Sequence, residues 1–143
     1  MTTIAASLTE MAGDSALVTS GPVAKVSKIH RIGDSIFGEA GDGFASLLMI
    51  EWLKGRRDRR LLQKMPEAFV RDDVLLLELS PKGLALWNGW GIKMPISDAF
   101  YAIGSGSMAA MAALMAGANP EEAVKIAAEL DENTREPVEV LAL

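Results

Sequence analysis

Cysteine is absent from this chain of 143 residues, and histidine occurs once, as His30. The absence of cysteine excludes disulfide scaffolds, thiolate zinc sites and cysteine nucleophiles. A single histidine excludes every site that needs two imidazoles, and a Ser-His-Asp triad would have to use His30. The sequence therefore excludes hydrolytic sites that use a cysteine nucleophile, a thiolate-bound zinc ion or two histidines.

Positive charge and long apolar runs are also scarce. The 14 Lys and Arg residues are outnumbered by 19 Asp and Glu residues, and the net charge of −5 argues against nucleic acid as a partner. The longest apolar stretch, residues 108–118, contains Gly117 and is shorter than the roughly 18–20 residues of a membrane span. Residues 1–4 do not resemble the start of a signal peptide. We therefore expect a cytoplasmic protein with no membrane partner.

What the sequence does contain is enough apolar surface for one domain. Apolar residues make up 50% of the chain, and a domain of this length buries roughly 68–70% of the surface that its unfolded chain exposes. We expect a single domain over residues 1–143. The patterns predict strands at residues 4–8, 23–32, 35–40, 74–79, 84–87, 100–103 and 138–143. They predict helices at residues 44–55, 107–115 and 120–130, with residues 88–97 as a turn-rich stretch.

The third helix has the clearest start signal. Asn119 is a good N-cap, Pro120 suits the first helical position, and Glu122 completes a capping box. The order of strands, helices, hairpin, helices and strand fits two sheets with helices outside them.

Several conspicuous features have structural explanations. The glycine-rich residues 38–43 lack the GK[ST] of a phosphate loop and carry two carboxylates, so a strand-to-helix turn is favoured. The methionines at 108, 111 and 115 have helical spacing and are expected to fill the core. The arginine-rich residues 56–60 are typical of a solvated helix face, with a docking surface for an acidic partner as the alternative. His30 is interpreted as a surface or packed histidine.

The second residue offers one remaining hydrolytic chemistry. Once Met1 is removed, Thr2 would carry a free α-amine that can take the proton of its own hydroxyl. That amine must be neutral to act as a base, and a neighbouring lysine lowers its pKa by like-charge repulsion. An aspartate is then needed to hold the lysine charged and oriented.

The context for such a site is a resemblance that spans nearly the whole chain. Six segments match in order: residues 2–4 (TTI), 12–15 (AGDS), 28–32 (KIHRI), 40–41 (AG), 102–107 (AIGSGS) and the pair Asp131 and Thr134. Together they resemble the proteasome β-type and HslV-like subunits of the N-terminal-nucleophile hydrolases. The resemblance implies an α+β fold, a four-layer αββα sandwich, here with a shortened second helix. It also implies threonine-type proteolysis without cofactor or metal, in a homo-oligomeric ring that acts on peptides or unfolded proteins, with an AAA+ unfoldase ATPase as a partner.

The resemblance also assigns roles at the nucleophile. Thr2 would be the nucleophile and its amine the general base, Lys28 would tune that amine, and Asp14 would orient Lys28. Lys25 fits the same local pattern and is a rival, although the spacing favours Lys28.

The remaining roles surround the reacting bond. The Gly41 N–H would form the oxyanion hole, and Ser105, Asp131 and Thr134 would hydrogen-bond around the amine. Glu39 falls where the family places a determinant of the first specificity pocket, which predicts a preference for basic residues before the scissile bond.

Two other functions stay open at this stage. The chain could be a non-catalytic scaffold or interaction subunit that retains the fold. It could also be an amidase for a small amide, as other N-terminal-nucleophile enzymes are, although residues 104–106 and the Asp131 and Thr134 pair favour the peptidase.

Overall fold

A computed structural model describes residues 2–55 and 73–143. The strands are β1 (Thr3–Ser7), β2 (Glu10–Asp14), β3 (Ala16–Leu17), β4 (Ala24–Lys25), β5 (Ile29–Ile32), β6 (Ser35–Gly41), β7 (Val74–Ser80), β8 (Gly83–Asn88), β9 (Lys93–Ile96), β10 (Phe100–Gly104) and β11 (Val138–Ala142). The helices are α1 (Gly43–Gly55), α2 (Ser107–Met115) and α3 (Pro120–Leu130). Most predicted elements are confirmed, with boundaries shifted by a residue or two.

Two antiparallel sheets form the centre of the molecule. One has the strand order β10-β1-β2-β11, and the other has the order β5-β6-β7-β8-β9. The short strands β3 and β4 pair separately. The first strand is therefore central in its sheet, hydrogen-bonded to β10 on one side and to β2 on the other.

The two sheets approach each other closely at Gly38 on β6. A Cβ at this position would collide with the side chain of Ile4 and would lie 2.9 Å from the sulfur of Met11. Glycine is therefore required where the strands of the two sheets cross, because interiors are packed without spare volume.

Three apolar cores separate four layers. The first core lies between the sheets and includes Ile4, Met11 and Leu77. The second lies between the four-stranded sheet and the pair α2 and α3, and the third between the five-stranded sheet and α1. This arrangement is the predicted αββα sandwich, and the fold class is confirmed.

The start of α3 follows the predicted chemistry. The Asn119 side chain accepts from the Glu122 backbone N–H at 2.9 Å, and the Glu122 carboxylate accepts from the Asn119 N–H at 2.9 Å. Because the first N–H groups of a helix have no partners within the helix, this capping box satisfies two donors at once. The next helical turn is thereby placed against the four-stranded sheet.

Three strand predictions were wrong in detail. The resemblance implied a turn at residues 12–15, but residues 12–14 form the end of β2, where burial on both faces removes the alternation that marks a strand. Residues 88–97 contain β9, an exposed edge strand whose lysine and proline are typical of sheet edges. The predicted strand 23–32 is instead two strands, β4 and β5, separated at residues 26–28.

The methionine prediction was also wrong. Met108 and Met115 are 82% and 73% exposed, and only Met111 packs, partly buried, against the second core. The buried face of α2 is formed by Ala110, Ala113 and Leu114. Because α2 is apolar on every side, the sequence period does not indicate which face meets the sheet.

Two expectations concern residues outside the described part of the chain. The shortened second helix and the role of the arginine-rich residues 56–60 both fall within residues 56–72. Within the described ranges, no helix is long and apolar enough to cross a membrane.

Candidate active site

A buried ion pair lies where the chain enters β5 of the five-stranded sheet. Lys28, just before β5, donates from Nζ to both carboxylate oxygens of Asp14, at 3.1 Å to Oδ1 and 3.0 Å to Oδ2. The backbone N–H groups of Thr3 and Ala16 donate to the same carboxylate at 2.9 Å and 3.2 Å. Four such contacts hold the carboxylate in place, and the carboxylate in turn fixes the ammonium group. Lys25, the rival lysine, is exposed on β4.

Thr2 is the residue immediately before the central strand and is itself buried. Its backbone is held against the end of β10, where Gly104 lies opposite Thr3. Gly104 has a φ of 99°, and a Cβ there would collide with the Thr2 carbonyl oxygen. Only glycine adopts this conformation without strain and allows such an approach. The position of Thr2 is therefore set by two neighbouring strands rather than by a loop.

A second polar network joins the end of α3 to the first strand. Asp131 Oδ2 accepts from the hydroxyls of Ser105 and Thr134, both at 2.6 Å. Because Thr134 donates to Asp131, the 2.5 Å contact between Thr3 and Thr134 has the Thr3 hydroxyl as its donor. The Ser105 hydroxyl also lies 3.4 Å from the Thr2 carbonyl oxygen. The network thus reaches the side chain of Thr3 and the backbone carbonyl of Thr2.

The protonation of Asp131 follows from these contacts. Burial raises the pKa of the Asp131 carboxyl, but hydrogen bonds from Ser105, Thr134 and Asn133 outweigh burial and hold that pKa below its ordinary value. The carboxylate is therefore ionised at neutral pH, and it acts as an acceptor for the surrounding hydroxyls.

Gly41 ends β6 with a φ of 107°. A Cβ there would collide with the Asp73 carbonyl oxygen, which also accepts from the Asp42 N–H at 3.1 Å. The Asp42 carboxylate then accepts from the Ala45 N–H at 2.8 Å, at the start of α1. The strand therefore turns sharply into the helix at this point.

A cavity of about 150 Å³ connects these parts. Its lining residues are Thr2, Ala16, Leu17, Val26, Ser27, Lys28, Glu39, Ala40, Gly41, Gly43, Phe44, Ser46 and Leu47. Thr2 and Lys28 lie on the same cavity as Glu39, so a group bound there would be close to the threonine. Within residues 2–55 and 73–143, no cluster of His, Asp and Glu side chains is suited to hold a metal ion.

Comparisons with solved structures identify the architecture. HslV from Trypanosoma brucei superposes with a TM-score of 0.75 at 26% sequence identity, covering 98% of this chain and 98% of that chain. The chain has the HslV fold. BPH from Thiobacillus denitrificans in complex with epoxomicin superposes with a TM-score of 0.73 at 20% identity, covering 99% of this chain and 97% of that chain. A second BPH structure gives a TM-score of 0.70 at 20% identity, covering 99% of this chain and 96% of that chain. No protein-family model and no curated protein matches the sequence.

The structure brings the residues named from the sequence into two adjoining groups. The first group lines the cavity and consists of Thr2, Lys28, Glu39 and Gly41. Asp14 is outside the cavity lining and binds Lys28. The second group is the polar network of Ser105, Asp131 and Thr134. Their placement fits the expected roles, which stay predictions until the protein is assayed.

Three polar residues at the site were not assigned a role from the sequence: Thr3, His30 and Ser46. His30 lies opposite Phe37 in the register of β5 and β6, so it shares a face with Glu39 two residues further on. The turn at residues 33–34 implies this register, which could have indicated that His30 and Glu39 are neighbours. No comparable signal marks Ser46.

Proposed function

We propose that this protein is a threonine-type endopeptidase subunit of a self-compartmentalised protease of the proteasome and HslV type. The observation that carries the proposal is the pairing of Thr2 with a buried, carboxylate-bound lysine on one cavity. The fold similarity to HslV, and to a protein solved with epoxomicin, supports the same class of activity.

The reaction would begin after removal of Met1. The Thr2 hydroxyl oxygen attacks the carbonyl carbon of the scissile peptide bond, and its proton passes to the Thr2 α-amine. The oxygen atom of the attacked carbonyl group then carries a negative charge, which the Gly41 N–H would stabilise. Collapse of this intermediate expels the leaving amine with the proton from the α-amine, and it forms an ester on Thr2. Water, deprotonated by the same amine, hydrolyses the ester and restores the threonine.

The surrounding residues keep this amine available as a base. The Lys28 ammonium lies on the same cavity and would favour the neutral amine by like-charge repulsion, while Asp14 holds Lys28 in place. Ser105, Asp131 and Thr134 would position the amine from the other side through their hydrogen-bond network.

Glu39 would set the first specificity pocket. Its carboxylate lines the cavity beside Thr2 and is buried. Burying a carboxylate costs free energy unless a cation pairs with it directly. A cationic side chain of the substrate would therefore be stabilised at this position. We therefore propose that the protease prefers basic residues before the scissile bond.

The partners follow from the proposed class. Substrates would be peptides or unfolded proteins, and the subunits would assemble into a homo-oligomeric ring in the cytoplasm, with an AAA+ unfoldase to feed it. Exposed apolar side chains on α1, α2 and α3, including Phe44 and Leu130, support association between subunits. No cofactor, nucleic acid or membrane takes part in this mechanism.

The decisive test combines mass and activity. Intact-mass measurement should show a chain without Met1, and epoxomicin should add one molecule to Thr2. Thr2→Ala and Lys28→Ala should each lower peptide hydrolysis by at least about 10²-fold, the lower end of what acid–base catalysis contributes. Lys25→Ala is the matched control, because this lysine is exposed, and it should stay within about twofold of the unmodified protein.

Other outcomes would contradict the proposal. Full hydrolysis by Thr2→Ala would exclude Thr2 as the nucleophile. Retention of Met1 together with no epoxomicin adduct would identify a non-catalytic scaffold instead.

A further inference from the structure

Three buried polar atoms lack hydrogen-bond partners, and two of the residues that carry them line one cavity. Across the described residues, the buried side-chain nitrogen and oxygen atoms without a partner are His30 Nε2, Glu39 Oε2 and Ser46 Oγ. Buried polar groups are nearly always hydrogen-bonded, so such a group in a folded protein calls for an explanation. Because Glu39 and Ser46 both line one cavity, a ligand bound there would supply their missing partners.

The three residues come from different elements. Glu39 on β6 and Ser46 on α1 expose 7% and 1% of their surface, and both line the cavity that Thr2 also lines. His30 on β5 places Nε2 3.6 Å from Glu39 Oε2, beyond hydrogen-bond distance. His30 is not part of the cavity lining, and it approaches the cavity only through its contact with Glu39.

The chemistry of these atoms defines what they would bind. An ionised carboxylate only accepts hydrogen bonds, and a serine hydroxyl accepts as well as donates. The cavity walls are formed largely by apolar residues, among them Ala16, Leu17, Val26 and Leu47. Such walls suit a long methylene chain whose polar head reaches the acceptors. The ligand is thus a side chain with an apolar stem and a cationic, donor-rich end.

Between the two basic side chains, this arrangement favours arginine. A guanidinium presents five N–H donors in a rigid planar fork, which can serve a carboxylate and a hydroxyl on different elements at once. An ammonium group is a compact point charge with three donors.

We infer that the cavity recognises arginine specifically, with Ser46 as a second specificity-determining residue beside Glu39 and His30 as a positioning residue for Glu39. This inference rests on the proposed function, in which the cavity receives the residue before the scissile bond. It adds the choice of arginine over lysine and the roles of Ser46 and His30.

Selectivity among substrates tests the two cavity residues. Fluorogenic peptides that differ only in Arg, Lys or Leu before the scissile bond should give the highest kcat/KM with Arg. Glu39→Gln should lower the Arg-to-Leu ratio by about 10–100-fold, as expected for a hydrogen-bonded charge. Ser46→Ala should lower the Arg-to-Lys ratio by about 2–10-fold. An unchanged ratio in either variant would overturn the inference.

Glu78 on β7 provides a matched control for loss of a buried carboxylate. Its side chain accepts from Trp87 Nε1 at 2.8 Å and from the Ser35 hydroxyl at 3.0 Å, and it does not line the cavity. Glu78→Gln should therefore leave the Arg-to-Leu ratio unchanged, whatever it does to stability. A fall as large as that of Glu39→Gln would attribute the effect to general loosening of the sheet and overturn the inference.

The role of His30 is tested by substitution and rescue. His30→Phe keeps a ring at this position but removes both ring nitrogens, and it should lower the Arg-to-Leu ratio by about 2–10-fold because Glu39 loses a polar neighbour. His30→Gln supplies an amide donor in its place and should restore the ratio. An unchanged ratio in His30→Phe, or an equal fall in both variants, would exclude His30 as a positioning residue.

Among the charged groups on β5 and the elements around it, the following have partners of their own. Asp14 on β2 is bound to Lys28, Glu51 and Lys54 on α1 pair with each other at 2.7 Å, and Glu139 on β11 accepts from Ser27 at 2.7 Å. Arg31 on β5 itself donates to the Ala142 carbonyl oxygen. Glu39 is therefore the carboxylate that the structure places against the His30 ring.

A binding measurement separates failure of this inference from failure of the proposed function. Because the chain has one histidine, a ring proton resonance of His30 is unambiguous in NMR. Acetyl-arginine amide should shift it, whereas acetyl-leucine amide should not, and Glu39→Gln should abolish the shift. A shift without hydrolysis of any peptide would retain the pocket and reject the peptidase. Hydrolysis that favours Leu, with no shift, would retain the peptidase and reject the arginine pocket.

Discussion

Asp14 connects three segments that are distant in the sequence. Its carboxylate accepts from Lys28 Nζ and from the backbone N–H groups of Thr3 and Ala16. A single side chain thus sets the positions of the candidate nucleophile's strand and of the candidate tuning lysine. Substitutions here should affect stability as well as catalysis.

The two partners of this ion pair should differ in their effect on stability. Asp14→Asn removes the negative charge that compensates a buried ammonium, and we expect a loss of about 3–5 kcal/mol in the free energy of unfolding. Lys28→Met should cost less, because the Asp14 carboxylate keeps two backbone donors. Urea unfolding of the two variants measures the difference, and a larger loss for Lys28→Met would contradict this account.

Asp131 should make stability depend on pH in the acid range. Its folded-state pKa lies below the ordinary value, so the ionised form is stabilised by folding. The contribution is fully present above the ordinary carboxyl pKa of about 3.9, and it is lost as the pH falls through the lower folded-state pKa. Asp131→Asn should therefore reduce stability more at about pH 7 than at about pH 2.5. Thermal unfolding at both pH values tests this, and an equal reduction would contradict it.

At the scale of elements, glycine controls how β6 joins α1. Gly41 and Gly83 both have positive φ values, 107° and 109°, but only Gly41 has a backbone carbonyl where a Cβ would lie. Gly83→Ala should therefore cost only the strain of a left-handed residue, about 1–2 kcal/mol. Gly41→Ala adds a steric clash and should cost about 2–5 kcal/mol in total. Chemical unfolding compares the two variants, and equal costs would show that the clash at Gly41 is relieved.

The elements also show which parts of the fold the sequence could predict. The hairpin of β7 and β8 and the start of α3 have strong local signals, namely a Ser-Pro-Lys-Gly turn and a capping box. By contrast, β9 is an exposed edge strand interrupted by Pro95, and its identity depends on pairing with β8. Local patterns carry no record of such a partner, so residues 88–97 were interpreted as a turn.

The candidate site divides in the same way. Thr2, Asp14, Lys28 and Gly41 belong to short motifs that could be recognised in order along the chain. Glu39 and Ser46 come together at the cavity only because β6 packs against α1. The approach of His30 to Glu39 depends on strand register. These relations exist only in the folded molecule, so the sequence alone indicated Glu39 and not its neighbours.

At the scale of the whole molecule, the exposed apolar residues on the outer helices need an explanation. Met108 lies in the first turn of α2 and Leu130 ends α3, and both are at least 75% exposed. The two helices pack against each other and are joined by residues 116–119 alone, a connection typical of antiparallel helices, so we expect these residues to lie at the same end of the pair. Exposed clusters of this kind mark association surfaces.

Replacing this apolar end should weaken assembly. We expect native mass spectrometry to show an oligomer for the unmodified protein and smaller species for the double variant Met108→Glu and Leu130→Glu. Lys82→Glu, in the exposed turn between β7 and β8, also adds negative charge and should leave the oligomer intact. A double variant that assembles normally would place the subunit contacts elsewhere.

The central position of β1 has a consequence for the time at which the protein becomes active. During synthesis the N-terminal part of a chain is made first, yet β1 pairs with β10, which is made much later, and Thr3 contacts Thr134. A nascent chain therefore holds Thr2 without these surroundings until translation has passed Thr134. Under the proposed function, the fold would thus delay proteolysis, so a ribosome-bound subunit would not cleave its neighbours while its site is incomplete.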